Sequence, residues 1–197
     1  MSVPATLHIQ DTPELKIAKN FLILGILVNA LVYPFFLLPV VSLILSIMSF
    51  GFTTAGLYKL SKLARNQVLF KYYTFSVIDG ILIVVIMSAM NLKQMPLSPN
   101  FWFFTGILAV IVCGGFYFYF FYKICLELGK ITTLGFFVLA FKGMAAGIII
   151  FLFACLFFSM KEVFYFLTML SLVAFLMSGI VFIVGIFSIK KVVCEAY

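Results

Sequence analysis

The sequence predicts an all-α integral membrane protein with six transmembrane helices. Three observations point to this class: 65% of the 197 residues are hydrophobic, only 10% are charged, and the cations stand at the ends of long apolar runs. A soluble domain needs a polar surface that this composition does not supply, so lipid must solvate the chain. We expect one six-helix transmembrane domain over 20–191, between a short cytoplasmic N-terminal arm (1–19) and a short cytoplasmic tail (192–197).

The first apolar run, over 21–57, is too long for a single crossing. As one helix it would extend about 55 Å at about 1.5 Å per residue, whereas the hydrocarbon core of a bilayer is about 30 Å thick. Pro34 and Pro39 supply a break, because proline lacks a backbone donor and disfavours helix in the residue before it. We therefore predict helix 1 over about 16–33 and helix 2 over about 38–58.

A basic connector follows helix 2. It contains Lys59, Lys62 and Arg65, and Lys71 closes it. Cations of this kind mark the cytoplasmic side of a membrane. The elements predicted after it are helix 3 over 68–92, helix 4 over 101–122, helix 5 over 131–158 and helix 6 over 163–189, joined by links over 93–100, 123–130 and 159–162.

The distribution of cations favours six crossings with both termini in the cytoplasm. Of the thirteen basic residues, only Lys93 and Lys161 would lie outside, and Lys142 falls within a helix. The cations predicted inside are Lys16, Lys19, Lys59, Lys62, Arg65, Lys71, Lys123, Lys130, Lys190 and Lys191. This is the positive-inside pattern of a multi-pass plasma membrane protein, which we place in a prokaryotic inner membrane.

The remaining motifs argue against several classes of function. The four cysteines, Cys113, Cys125, Cys155 and Cys194, form neither a CxxC motif nor a cysteine–histidine pair at ligand spacing, so no metal or cofactor is predicted. No HExxH, GxSxG or P-loop motif is present, and the six acidic residues offer no pair suited to acid–base work, so no enzyme is predicted. Because the cations lie at helix ends rather than on an exposed face, nucleic acid is not an expected partner.

A faint internal repeat is visible. Tyr58-Lys59-Leu60 recurs as Tyr122-Lys123-Ile124, and Asp79-Gly80 aligns with Lys142-Gly143 one residue out of phase. Such repeats would be parallel, with helices 2 and 3 matching helices 4 and 5 and helix 6 pairing with helix 1 in a pseudo-threefold ring. The matching residues are few, so chance is the competing explanation.

The same motifs carry a family resemblance. Gly56-Leu57-Tyr58-Lys59-Leu60-Ser61-Lys62, Tyr122-Lys123 and Gly185-Ile186-Phe187-Ser188-Ile189 resemble those of small prokaryotic polytopic membrane proteins that are catalogued only as a domain of unknown function. The resemblance covers about 37–191. It implies the same membrane architecture and brings no activity or catalytic residue with it.

Two charged residues within the predicted helices form the candidate site. Asp79 lies about eleven residues into helix 3 and Lys142 about eleven into helix 5, which places both about 16 Å deep at about 1.5 Å per residue. A lone charge at that depth costs about 2.5 to 3.5 kcal/mol, so an oppositely charged partner is the natural compensation. We predict an intramembrane ion pair between Asp79 and Lys142.

Small and polar residues surround this candidate pair. Gly143 and Gly147 form a GxxxG motif that lets another helix approach closely, and we expect Lys142 to face protein. A polar layer at the same depth is predicted from Asn29, Ser49 and Ser178.

Two classes of function are open. One is a small transporter or channel with Asp79 and Lys142 on its path; the other is a non-catalytic subunit or scaffold that packs against a second copy or another membrane protein. The pair itself could serve permeation or simply fix the register of the helices.

Overall fold

Six helices and a two-stranded sheet form the part of the chain that the computed structural model describes, residues 6–10, 12–32, 38–92 and 101–195. In chain order the elements are β1 (Thr6–Gln10), α1 (Pro13–Val32), α2 (Pro39–Leu63), α3 (Gln67–Leu92), α4 (Phe101–Thr132), α5 (Phe136–Leu156), α6 (Lys161–Phe187) and β2 (Lys191–Glu195). Each of the six helices is long and apolar enough to cross a membrane. This confirms the predicted helix number; the predicted links over 33–37 and 93–100 lie outside the described residues.

Four helix boundaries differ from the prediction by three residues or more: the start of α1, the ends of α2 and α4, and the start of α5. Helix α1 starts inside the predicted arm, where Pro13 occupies a first-turn position that tolerates a missing donor and the Thr12 hydroxyl accepts a hydrogen bond from the Leu15 amide at 3.3 Å. Helix α4 continues ten residues past the predicted end at Tyr122, as far as Thr132.

The extension of α4 is amphipathic rather than a polar link. Ile124, Leu128 and Ile131 are buried on one side, and Lys130 pairs with Glu127 at 2.7 Å one turn away. This spacing is typical of a helix with one packed face. Helix α5 consequently begins at Phe136, five residues later than predicted.

The six helices form a closed ring of three hairpins. Helices α1 and α2 pack closely, as do α3 with α4 and α5 with α6, and looser contacts join α2 to α3, α4 to α5 and α6 back to α1. Each helix therefore has two neighbours and one side that faces the ring axis.

Serine and glycine hold two of the hairpins together. Ser49 of α2 donates a hydrogen bond to the Gly25 carbonyl of α1 at 2.9 Å, and Ser171 of α6 donates one to the Gly147 carbonyl of α5 at 2.8 Å. Ser178 of α6 bonds in the same way to the Ala140 carbonyl of α5. Helices in lipid associate through such small residues and interhelical hydrogen bonds, since lipid tails are as apolar as leucine.

One end of the ring, which we name the strand end, carries the sheet and the main core. Strands β1 and β2 pair antiparallel there, with His8 opposite Val193, so the segment before α1 and the segment after α6 meet. Val192 is fully buried and belongs to one apolar cluster with Leu15, Leu69 and Ile189. The sequence did not predict these strands.

Polar contacts reinforce the strand end. The Lys19 ammonium donates to the Phe187 carbonyl at 2.5 Å, where the last carbonyls of α6 favour a cation. The Asn66 side-chain oxygen accepts from the Val68 and Leu69 amides at 3.0 and 3.2 Å, which caps the start of α3. Its amide nitrogen donates to Glu127 of α4 at 2.9 Å. A single asparagine thus fastens the basic connector to α4.

Substitution of Gly56 tests the close approach of α1 and α2. An alanine Cβ at Gly56 would lie 2.7 Å from the Leu22 Cγ and 3.0 Å from the Leu22 nitrogen, so Gly56→Ala should destabilise the protein by about 1–3 kcal/mol through overpacking. Gly51 has no neighbour within 4 Å at the equivalent point, and Gly51→Ala should be neutral or slightly stabilising because alanine favours helix. Thermal unfolding in detergent measures the stability of both variants. Equal unfolding midpoints would contradict the close approach of α1 and α2 at Gly56.

Substitution of Asn66 tests the link between the connector and α4. Asn66→Ala removes the cap of α3 and the partner of Glu127, and we expect a loss of about 1–2 kcal/mol. Asn20→Ala is the matched control, since Asn20 is exposed on α1 and its loss should change stability by less than about 0.5 kcal/mol. Unfolding midpoints that do not separate the two variants would show that the Asn66 bonds contribute nothing.

Candidate functional site

A cavity of about 340 Å³ lies within the ring. All six helices contribute to its wall. Five of them do so through residues spaced three or four apart, which is the spacing of one helix face, and α5 contributes Phe137. The lining residues are Leu22, Ile26, Asn29, Thr53, Leu57, Tyr73, Ser76, Tyr117, Phe121, Ile124, Leu128, Phe137, Phe182, Ile186 and Ile189. Its volume is at the lower end of the range of about 300–1,000 Å³ that is usual for ligand pockets.

The lining of the cavity changes from apolar to polar with distance from the strand end. Nearest that end lie Leu128 and Ile189, both almost completely buried. Asn29 and Thr53 lie on the parts of α1 and α2 farther from it, and Tyr117 precedes Leu128 by three helical turns on α4. The cavity therefore has an apolar floor, and its hydroxyl and amide groups stand in an otherwise apolar wall farther from the strand end.

The apolar floor closes the cavity toward the strand end. Leu128 and Ile189 sit beneath it, and Val192 of β2 packs into the same buried cluster. The ring of Phe182 meets the ring of Phe137 edge to face at 5.4 Å and stacks on Phe121 at 6.2 Å. A polar solute reaching the cavity from the strand end would have to pass through this packed layer.

The hydroxyl groups of the wall differ in their bonding. Thr54 donates to the Phe50 carbonyl at 2.8 Å, so its single proton is used and Tyr73 is the donor in the 2.8 Å contact between the two hydroxyls. Thr53 donates to the Ser49 carbonyl at 2.9 Å. These bonds fix Tyr73 of α3 against α2.

Ser76 is the exception among these hydroxyls. It is only 6% exposed and lines the cavity, and its hydroxyl makes no hydrogen bond within the described part of the chain. The fully enclosed side-chain oxygen without a partner among the described residues is Asp79 Oδ2, so the Ser76 oxygen is open to the space that it lines. Threonines elsewhere in the helices, such as Thr74, bond to the carbonyl four residues earlier. A hydroxyl that is open to a cavity can donate a hydrogen bond to water or a bound ligand and accept one from it.

The predicted ion pair is not formed. Lys142 is exposed, and Asp79 makes no ion pair with it; the Asp79 Oδ2 atom is buried without a hydrogen-bond partner among the described residues. The prediction relied on equal depth, but Lys142 lies six residues into α5 and Asp79 twelve into α3. Their helices also belong to different hairpins, since α3 packs mainly on α4 and α5 mainly on α6.

The other predicted residues fall into two groups. Asn29 lines the cavity. Ser49 and Ser178 are buried and use their hydroxyls within the α1–α2 and α5–α6 hairpins. A polar layer formed by the three at one depth stays a prediction.

The predicted GxxxG motif lies against α6. A Cβ on Gly143 would be 3.3 Å from Ser178 Cβ, and one on Gly147 would be 3.3 Å from the Phe175 ring. The face of α5 that packs is thus the one with Ala140 and Gly147, and the prediction that Lys142 faces protein is wrong.

Sequence reasoning missed Thr53, Tyr73, Ser76 and Tyr117. The available signal was weak: Tyr73 and Ser76 are three residues apart in α3, with Gly80 one turn further on. Hydroxyls in helices usually bond their own backbone, so only the structure distinguishes Ser76 from the rest.

Replacement of Asp79 tests whether its charge is compensated. Because one carboxylate oxygen is buried without a partner among the described residues, Asp79→Asn should raise stability by about 1 kcal/mol or leave it unchanged. Glu127→Gln is the informative contrast, since Glu127 bonds both Asn66 and Lys130 and its neutralisation should lower stability. Thermal unfolding in detergent compares the two, and a clear loss for Asp79→Asn would reveal a partner for that carboxylate.

Comparison of this chain with protein-family models, with curated proteins and with solved structures gives no match. The resemblance to small prokaryotic membrane proteins therefore stays a prediction.

Proposed function

We propose that the protein is a small, non-catalytic membrane transporter that binds its solute in the central cavity. The observation that carries this proposal is a cavity to which all six helices contribute, with the Ser76 hydroxyl open to it and not bonded within the described part of the chain. Close packing leaves few spaces of this size in a protein interior, and a hydroxyl in a helix usually bonds the backbone of its own helix. Their coincidence on the ring axis is what a solute site requires.

The cations support the proposed orientation. The basic connector, Lys130 and the residues around β2 all lie at or beside the strand end, which also holds the Lys19 contact to α6. The positive-inside rule then assigns the strand end, with both termini, to the cytoplasm of a prokaryotic cell. The cavity would be closed on the cytoplasmic side and have its hydroxyl wall nearer the opposite face.

An internal repeat fits the same architecture. The two serine–glycine bonds each join residues 24 positions apart, Ser49 with Gly25 and Ser171 with Gly147. A pseudo-threefold relation would superpose α1–α2 on α5–α6 in this way and place the third hairpin, α3–α4, between them.

A scaffold is the second candidate function. Helices α3 and α4 expose apolar side chains such as Ile81, Val84 and Ile111, and this surface would suit either lipid or a second membrane protein. In a scaffold, however, the ring centre would be dry and closed to solutes. Water in the cavity is thus the property that separates the two functions.

Cysteine reactivity measures that property. In a background whose four cysteines are replaced by alanine, Thr53→Cys places a thiol in the cavity wall. We expect it to react with a small water-soluble methanethiosulfonate at least about tenfold faster than Leu43→Cys, because the reactive thiolate forms only where water reaches. Leu43 is exposed on α2 and would face lipid.

The variants are compared as folded protein in nanodiscs, with gel filtration as the check on folding. Reaction of Thr53→Cys no faster than that of Leu43→Cys would favour the scaffold and reject the transporter.

A further inference from the structure

A second space lies against the outside of the cavity wall. It has a volume of about 540 Å³ and is bounded by residues of α2, α3 and α4, including Phe50, Gly80 and Val84. Val84 and its neighbour Val85 are 63% and 60% exposed, so in a bilayer this groove would face acyl chains. We name it the lateral groove.

Three side chains belong to both spaces. Tyr73, Ser76 and Tyr117 line the central cavity and also the lateral groove. These three side chains are therefore the layer between the ring centre and the lipid-facing surface. They lie where α2 meets α3, and these two helices pack less closely on each other than the two helices of a hairpin do.

One of the three is fixed and one has room to move. Tyr73 is bonded to Thr54 of α2. Tyr117 is 44% exposed, and its ring passes Gly80, where an added Cβ would lie 3.7 Å from Tyr117 Cε2 and meet little else. Rotation of the Tyr117 side chain over Gly80 would join the cavity to the groove.

The chemistry of the two spaces restricts the ligand. No charged side chain lines either space in the described part of the chain, and a charged ligand would lose its hydration there without a counter-ion. Most of the lining is apolar, while Ser76 offers an unbonded hydroxyl that can donate and accept. This combination fits a neutral amphiphile with an apolar chain and a hydroxyl or carbonyl head.

We propose that the central cavity takes up a neutral single-chain amphiphile sideways from the bilayer, through the layer formed by Tyr73, Ser76 and Tyr117. The head bonds Ser76 and the chain lies toward Phe121 and Ile124. The floor of Leu128 and Ile189 blocks the strand end, which leaves the lateral groove as the route from lipid. The proposal rests on the transporter function proposed above and specifies its solute and its route.

Photolabelling tests both the route and the ligand class. The full chain in phosphatidylcholine nanodiscs is irradiated with a long-chain alcohol that carries a diazirine at the end of its chain, and labelled peptides are mapped by mass spectrometry. We expect label on the cavity face of α4 or α6, near Phe121 or Phe182. Excess unlabelled alcohol should abolish it, whereas the alkyl sulfate of equal chain length should not compete.

Variants at Ser76 and Gly80 distinguish labelling that depends on the lateral route from nonspecific labelling. Ser76→Phe should close the passage and remove most cavity labelling, while Thr74→Phe, on the same helix but lining neither space, should leave it intact. Ser76→Ala keeps the passage and removes only the hydroxyl, so labelling affinity should fall about three- to tenfold, as for one lost hydrogen bond. Gly80→Leu, which obstructs Tyr117 from the groove side, gives an independent block if Ser76→Phe does not fold.

The outcomes distinguish the two proposals. Cavity labelling that survives both Ser76→Phe and Gly80→Leu would overturn the lateral route. Cavity labelling that the alkyl sulfate abolishes as well as the unlabelled alcohol does would overturn the neutral ligand class. In either case, a reactive Thr53→Cys variant would still support the transporter function. Label confined to the exposed faces of α3 and α4, together with an unreactive Thr53→Cys, would overturn both.

Discussion

Helices in lipid have no hydrophobic reason to associate, and this constraint shapes the whole molecule. Two hairpins are held by serine hydroxyls that bond the backbone of a neighbouring helix, with Gly25 and Gly147 as the acceptors. These bonds lie within hairpins rather than between them. The hairpins are joined mainly at the strand end, where an apolar core and the Asn66–Glu127 bond lie together. The hairpins are consequently joined most closely at the strand end, and the cavity lies on the ring axis farther from that end.

The strand end also has the properties of a seal. Its two strands come from opposite ends of the chain and meet as an antiparallel pair, so their pairing ties the first helix to the last and closes the ring. Val192 enters the apolar core from this sheet, while the charged groups remain around the rim. A cavity closed on one side in this way can exchange its contents only with the opposite face or with the surrounding lipid.

The sequence allowed the membrane helices to be predicted because hydropathy and proline act locally. It failed where the answer depends on which helices are neighbours. Equal depth suggested a bond between Asp79 and Lys142, but depth says nothing about the direction in which a side chain points, and the two lie in different hairpins. The end of α4 was misread because Lys123, Glu127 and Lys130 resemble a polar link, although the residues between them form a packed face. Strand pairing between residues so far apart leaves no local signal.

The site was hidden for a related reason. Serine in an apolar helix normally satisfies its hydroxyl on its own backbone, and the sequence does not show which serine departs from this pattern. Ser76 departs from it where a cavity and a lipid-facing groove share one thin layer. Since charged groups are absent from the described lining of both spaces, selection there would act through the desolvation of a charged head. A neutral head with one hydrogen-bonding group loses far less on leaving water than a charged head does, and a bond to Ser76 would compensate that loss. The same feature would thus favour uptake of the ligand and define its class.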